Sequence, residues 1–216
     1  GGGMYNYSRS NPIIANTTFD TNSATYTGGG IYNYDSSSPS LSEVTFINNH
    51  ARDGGGVANY YLCNPVFQNV VFQSNWATSK GGGLYSYLDS YPQLLNVVFS
   101  ANQAEVGGGI YLLTYSTSLE KPFSVLTNVS LHKNTAETSG GGAYISITNL
   151  LMTNVTISEN TSYGSAGGLL FGGNETTMTN VTIKDNTARI GAGGLSASSD
   201  FMKLTNSILW GNSPEQ

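Results

Sequence analysis

Apolar and polar residues alternate with a period of two along most of the chain, as in Ile31-Tyr32-Asn33-Tyr34, Val44-Thr45-Phe46 and Val155-Thr156-Ile157. Alternation over short β-branched runs, bounded by Gly, Asn, Ser and Pro, predicts short strands and turns. No window carries the spacing of an amphipathic helix. The alternation itself recurs. An apolar residue, two variable residues and then Asn return as Phe19–Asn22, Phe46–Asn49, Phe72–Asn75, Phe99–Asn102, Leu131–Asn134, Ile157–Asn160, Ile183–Asn186 and Leu209–Asn212. Glycine clusters keep the same beat from Gly1, Gly28, Gly54, Gly81, Gly107 and Gly140, with degenerate forms at Ala166-Gly167-Gly168 and Ala192-Gly193-Gly194. The steps are 27, 26, 27, 26, 33, 26 and 26 residues.

A unit of this length with two or three short strands cannot bury its apolar side alone, but it can when stacked on its neighbours. The expected fold is therefore all-β: a right-handed parallel β-helix of eight coils, spanning residues 1–216 as one domain. Coils would lie about 4.8 Å apart, giving a rod about 38 Å long. A leucine-rich ring would need a Leu-x-x-Leu-x-Leu pattern that is absent, and a propeller a longer period. The longer step marks one larger coil, with a loop insertion at 114–124 that contains Lys121-Pro122.

Within each coil, the first and third residues after the glycines are expected to face inward: Ile31 and Asn33, Ile110 and Leu112, Ala143 and Ile145, Leu169 and Phe171. Glycine suits a tight bend or a positive φ where the clusters stack. The repeated Asn suits turns, where its amide bonds to backbone or to the next Asn in the column. A structural Asn ladder is expected through Asn22, Asn49, Asn75, Asn102, Asn134, Asn160, Asn186 and Asn212. A further Asn precedes the apolar residue by three positions in seven copies, with Glu43 in the eighth.

Gly29-Gly30-Ile31 with Phe46-Ile47-Asn48-Asn49, and Gly108-Gly109-Ile110 with Phe99-Ser100-Ala101-Asn102, resemble the repeats of chlamydial polymorphic outer-membrane proteins. More broadly, the repeat is similar to the pectate-lyase-like β-helix repeats of bacterial surface proteins. The ending Asn206-Ser207-Ile208-Leu209-Trp210-Gly211-Asn212 looks like those large secreted proteins too. The resemblance covers essentially the whole chain. It implies a β-helix stalk or passenger displayed outside the cell, often adhesive.

Charged residues make up 10% of the chain, the net charge is -5, and the 8 Lys and Arg form no basic cluster. This argues against a nucleic-acid partner. No stretch approaches the length of a membrane-spanning helix. Cys63 is the lone cysteine, so neither an intrachain disulfide nor a structural zinc site is expected. A composition rich in Gly, Asn, Ser, Thr and Tyr favours an extracellular location. The sequence opens at Gly1 without Met or a signal segment, which reads as a fragment or processed unit.

Related folds include polysaccharide lyases and hydrolases, whose sites cluster carboxylates on one face. Here the acids differ in repeat phase, and Lys184-Asp185 is out of step with Ser158-Glu159 and His132-Lys133. His50 and His132 occupy variable outward positions and read as solvated surface residues. No catalytic residue, metal or cofactor is expected, so the chain reads as a non-enzyme.

The second and fourth residues after the glycines should face outward. They hold Tyr5 and Tyr7, Tyr32 and Tyr34, Ala58 and Tyr60, Tyr85 and Tyr87, then Tyr111 and Tyr144. Stacked coils turn these into a double stripe. One reading is ring stacking that supports neighbouring coils; another is an aromatic strip that contacts sugars or a protein laterally. A second outward column, Thr18, Thr45, Val71, Val98, Ser130, Thr156, Thr182 and Ile208, is explained by β-propensity.

Asn-x-Ser/Thr occurs at Asn6, Asn16, Asn128, Asn154, Asn160, Asn174 and Asn180. Asn6 should face inward; Asn174, in a loop after Phe171, is the leading glycan acceptor, with the other five as further candidates. Neither end coil carries a helix or charged lid, so self-association through the coil ends is expected. The sequence thus points to a structural or adhesive extracellular β-helix, a filament subunit or stalk segment, with a glycan or host-surface partner. A carbohydrate-binding module using the Tyr stripe is the alternative, and a polysaccharide lyase or hydrolase the third reading.

Overall fold

The structure, a computed structural model, describes residues 1–114 and 123–214. Most of the 114–124 insertion, including Lys121 and Pro122, lies outside the described residues. Thr114 and Ser124 at its two feet are buried.

A typical coil contains three strands. Ile31–Tyr34 follows the glycines, Ser40–Ile47 carries the Val-Thr-Phe pattern, and His50–Asp53 leads into the next glycines. Each pairs in parallel with its counterpart in the following coil: Ile31 with Val57, Phe46 with Phe72, Ala51 with Ala77. The chain is therefore a parallel β-solenoid, and among the described residues it contains no helix. The first two kinds of strand share a fourteen-stranded sheet, joined where Ala143–Ser158 and Leu169–Lys184 run through both. The third kind forms a six-stranded sheet. Across the longer step the register holds, with Phe99 beside Leu131 and Ile110 beside Ala143.

One core runs up the axis. Phe19, Phe46, Phe72 and Phe99 stack with ring centroids 5.0, 4.9 and 4.6 Å apart. Leu131, Ile157 and Ile183 continue the column and are fully buried. Each buried side chain of this size contributes about 1.5–3 kcal/mol. The third post-glycine position is polar in the first coils. Asn6 donates to Asn33, Asn33 to Asn59 and Asn59 to Ser86, all buried, at 2.8, 2.8 and 2.9 Å. Later coils fill that position with Leu112, Ile145 and Phe171.

The glycine triplets serve two needs. The first member turns the chain at positive φ, 64° at Gly81. The second and third stand where backbones of adjacent coils touch. A Cβ on Gly83 would lie 2.8 Å from both the Gly109 carbonyl oxygen and the Phe99 ring. The other left-handed positions divide between the two Asn columns. The outer column Asn16, Glu43, Asn69, Asn96, Asn128, Asn154, Asn180 and Asn206 adopts positive φ. In the inner Asn column it is the preceding residue that does so, whether Thr21, Asn48, Ser74, Ala101, Lys133, Glu159, Asp185 or Gly211.

Candidate functional site

Two side-chain ladders run along the rod. The inner one is the Asn column. Asn75 Nδ2 donates to Asn102 Oδ1 at 3.0 Å, and its main-chain N–H donates to the same oxygen at 2.9 Å. The second Nδ2 hydrogen goes to the Phe46 carbonyl oxygen at 2.9 Å. The same bonds repeat from Asn22 to Asn212 without a break. An Asn amide has two donors and two acceptor lone pairs. From Asn49 to Asn186 all four are used, so hydrogen bonds offset the cost of burying these amides. The outer column is also hydrogen-bonded, from Asn180 through Asn154, Asn128, Asn96 and Asn69 to Glu43.

The tyrosines form the second ladder, and their exposure corrects the expectation of an open stripe. Tyr5 and Tyr7 are 54% and 55% exposed, but Tyr85 and Tyr111 are only 6% and 5% exposed. Tyr32, Tyr34, Tyr60, Tyr87 and Tyr144 are half-buried. Period-two alternation says which side of a strand a residue occupies; it does not say what folds over it. Here Tyr85, Tyr111 and Ala58 make a second apolar cluster, with Val106 and Leu113 packed against it. Lys80 lays its ammonium 5.4 Å from the Tyr111 ring centre.

Ring geometry decides what this ladder presents. Tyr5–Tyr32, Tyr7–Tyr34, Tyr85–Tyr111 and Tyr111–Tyr144 stack at 5.2, 5.7, 5.5 and 5.0 Å, with planes 9–20° apart. Rings that close and that nearly parallel overlap face on face. Their faces are turned to one another along the rod. Burial raises the Tyr32 phenol to about 12. Burial, assisted by Asp53, raises Tyr85 further.

The glycan acceptors also separate. Asn160 is fully buried and spends both amide hydrogens, on the Leu131 carbonyl and on Asn186. It is struck from the acceptors, since a glycan would break the ladder. Asn16, Asn128, Asn154 and Asn180 are exposed on the outer column. Asn174 is exposed as well, although it lies within the strand Leu169–Lys184 rather than in a loop. Asn6 is buried.

His50 is not simply solvated. It is half-buried and stacks on Trp76, centroids 4.4 Å apart, and its Nε2 is buried without a hydrogen-bond partner. Both residues directly follow a ladder Asn, so their shared repeat phase was the available signal. Asp53 Oδ1 is likewise buried and unpartnered, while Oδ2 lies 3.7 Å from Arg52 Nε. Lys184 and Asp185 form an ion pair with each other at 3.5 Å. Cys63 is buried, and burial pushes its thiol up. Among the described residues, no group of three or more His, Cys, Asp or Glu could hold a metal, and no helix is long and apolar enough to cross a membrane.

The parallel stacking, the glycine turns and the Asn ladder define a β-helix. Residues 1–121, more than half of the chain, match the family model described as right handed beta helix region, and the chain belongs to that family. Searches of curated proteins and of solved structures gave no match.

Proposed function

We propose that this β-helix is a non-enzymatic structural and adhesive rod outside the cell, a building unit of a surface filament or a segment of a surface stalk. The observation that carries the reading is the Asn ladder from Asn22 to Asn212, unbroken through eight coils. Its donors and acceptors are spent on holding one coil to the next, as a stiff spacer requires. The side chains of interest are likewise spread in columns along the rod instead of gathered at one point. The resemblance of the Gly29–Ile31 and Phe46–Asn49 motifs to chlamydial polymorphic outer-membrane protein repeats supports the same reading. Lateral contacts run along the Tyr ladder and partners are proteins or glycans of a neighbouring surface.

The test joins adhesion to turnover. Beads coated with the protein are presented to cell surfaces and matrix proteins, and the soluble protein is incubated with acidic and neutral polysaccharides. The reading expects bead adhesion without release of reducing ends. Polysaccharide cleavage, or beads that adhere no better than uncoated ones, contradicts it.

A further inference from the structure

The tyrosine ladder has one missing rung. Ala58 pairs in register with Tyr32 on one side and Tyr85 on the other, where every neighbouring coil from the first to the sixth carries Tyr. Tyr32 stacks its far side on Tyr5, and Tyr85 stacks its far side on Tyr111. Their near sides face each other across two strand spacings, about 9.6 Å. Two strand spacings are what one flat group needs between two ring faces, and in the structure packed side chains bury Ala58 there.

Tyr60 responds to the vacancy. The in-strand pairs Tyr5–Tyr7, Tyr32–Tyr34 and Tyr85–Tyr87 keep their planes within 22–27°. Tyr60, with Ala58 in place of such a partner, is turned 48° from Tyr34 and 50° from Tyr87. It packs against the Ala58 cluster, and Ala58 is fully buried. Tyr60 keeps its own column, 5.8 Å from Tyr34 and 5.4 Å from Tyr87, and its tilted ring packs against the Ala58 cluster beside the gap. Turning that ring into line with Tyr34 and Tyr87 would uncover Ala58.

The slot also has a charge. Asp53 immediately precedes Gly54, whose Cβ position would lie 2.8 Å from the Ala58 Cβ, and it pairs in register with Lys80. Its Oδ1 is buried with no hydrogen-bond partner. A buried carboxylate oxygen without a donor is costly unless something supplies one. The next coil shows what the surroundings accept, since the Lys80 ammonium already rests over Tyr111. A planar cation with several N–H donors meets all of these conditions. It stacks between ring faces and donates to a carboxylate, as guanidinium does and a compact ammonium does less well.

We propose that the Ala58 gap, gated by Tyr60 and charged by Asp53, is a binding slot for the guanidinium group of an arginine side chain on a partner protein. It deepens the adhesive reading and rests on it for the partner, while binding in solution and adhesion of beads can fail independently.

The experiment titrates the intact protein with the peptide Gly-Arg-Gly, and separately with Gly-Lys-Gly, while the tyrosine ring resonances are followed by NMR. Saturable shifts at Tyr32, Tyr60 and Tyr85 are expected with the arginine peptide. Asp53→Asn should weaken binding by about tenfold or more, the loss of a hydrogen bond to a charged group. Ala58→Tyr should fill the rung, bring Tyr60 into line and abolish binding. The proposal is overturned by the absence of saturable shifts, by equal affinity for the lysine peptide, or by binding that survives Ala58→Tyr in a folded variant.

Discussion

Asn102 accepts two hydrogen bonds from Asn75, one from the side-chain Nδ2 at 3.0 Å and one from the main-chain N–H at 2.9 Å, through a single carboxamide oxygen. It passes on the same pair to Asn134 and gives its remaining hydrogen to the Phe72 carbonyl at 2.9 Å. A buried side chain that ties three coils together in this way cannot be removed without orphaning groups on both sides.

Asn102→Ala is therefore expected to destabilise the rod by about 3–5 kcal/mol, because several buried partners lose their bonds at once. Asn22, half-buried in the first coil, touches only one neighbouring ladder residue, and Asn22→Ala should cost about 1 kcal/mol. Chemical denaturation of the two variants measures the contrast. Equal losses would mean that the ladder is not the element joining the coils.

The glycine columns differ in tolerance. A Cβ on Gly82 would lie 2.5 Å from the Gln103 carbonyl oxygen and closer still to that of Gly108. Both obstacles are backbone, so Gly82→Ala should cost several kcal/mol, about 3 or more, and deplete soluble protein. Gly172 has no neighbour nearer than 3.6 Å to its added methyl, and Gly172→Ala should fall within about 0.5 kcal/mol of the parent. Thermal melting of both variants checks this.

Tyrosine burial sets a behaviour in alkali. An unfolded tyrosine ionises near pH 10, whereas Tyr32 is raised to about 12 in the fold. Between these values the unfolded chain releases a proton that the folded chain retains, so this contribution to stability is full below about pH 10 and is lost as pH climbs towards 12. Tyr85 is raised further and acts in the same direction. Tyr85→Phe keeps the ring and removes the ionisation, and it should move the alkaline unfolding midpoint to higher pH. Spectroscopic titration gives the midpoint; an unchanged value in Tyr85→Phe would sink the account of Tyr85.

Expression in a glycosylating host should place a glycan at Asn174 and none at Asn160. Asn160 is sealed by its two amide bonds, while Asn174 is open. Peptide mapping by mass spectrometry reads both positions. A glycan on Asn160 in folded protein would contradict the ladder geometry.

Much of the architecture is legible because each coil repeats the same decisions. The period of two puts Ile31 and Asn33 inside, and the shared phase of Phe46 and Phe72 gives the register. What alternation cannot show is the closing of one side chain over another. Tyr85 and Tyr111 lie on the outer side of their strand yet are buried, because stacking and the side chains around Val106 and Leu113 cover them. The left-handed residues before the inner Asn column escaped for a related reason. Lys133, Glu159 and Ala101 carry no local sign of positive φ, since none of them is Gly, Asn or Asp. The Ala58 gap is visible as a break in a repeated Tyr, but its consequences for Tyr60 and Asp53 need the packed rings.

The Asn ladder holds the coils to one another along a single axis. Hydrogen exchange of the backbone amides tests this most directly. The predicted result is slow exchange shared by the ladder amides from Asn49 to Asn186, and faster exchange in the coils on either side of Asn102 in Asn102→Ala. Ladder amides that exchange independently from coil to coil in the parent, or a pattern unchanged in Asn102→Ala, would contradict it.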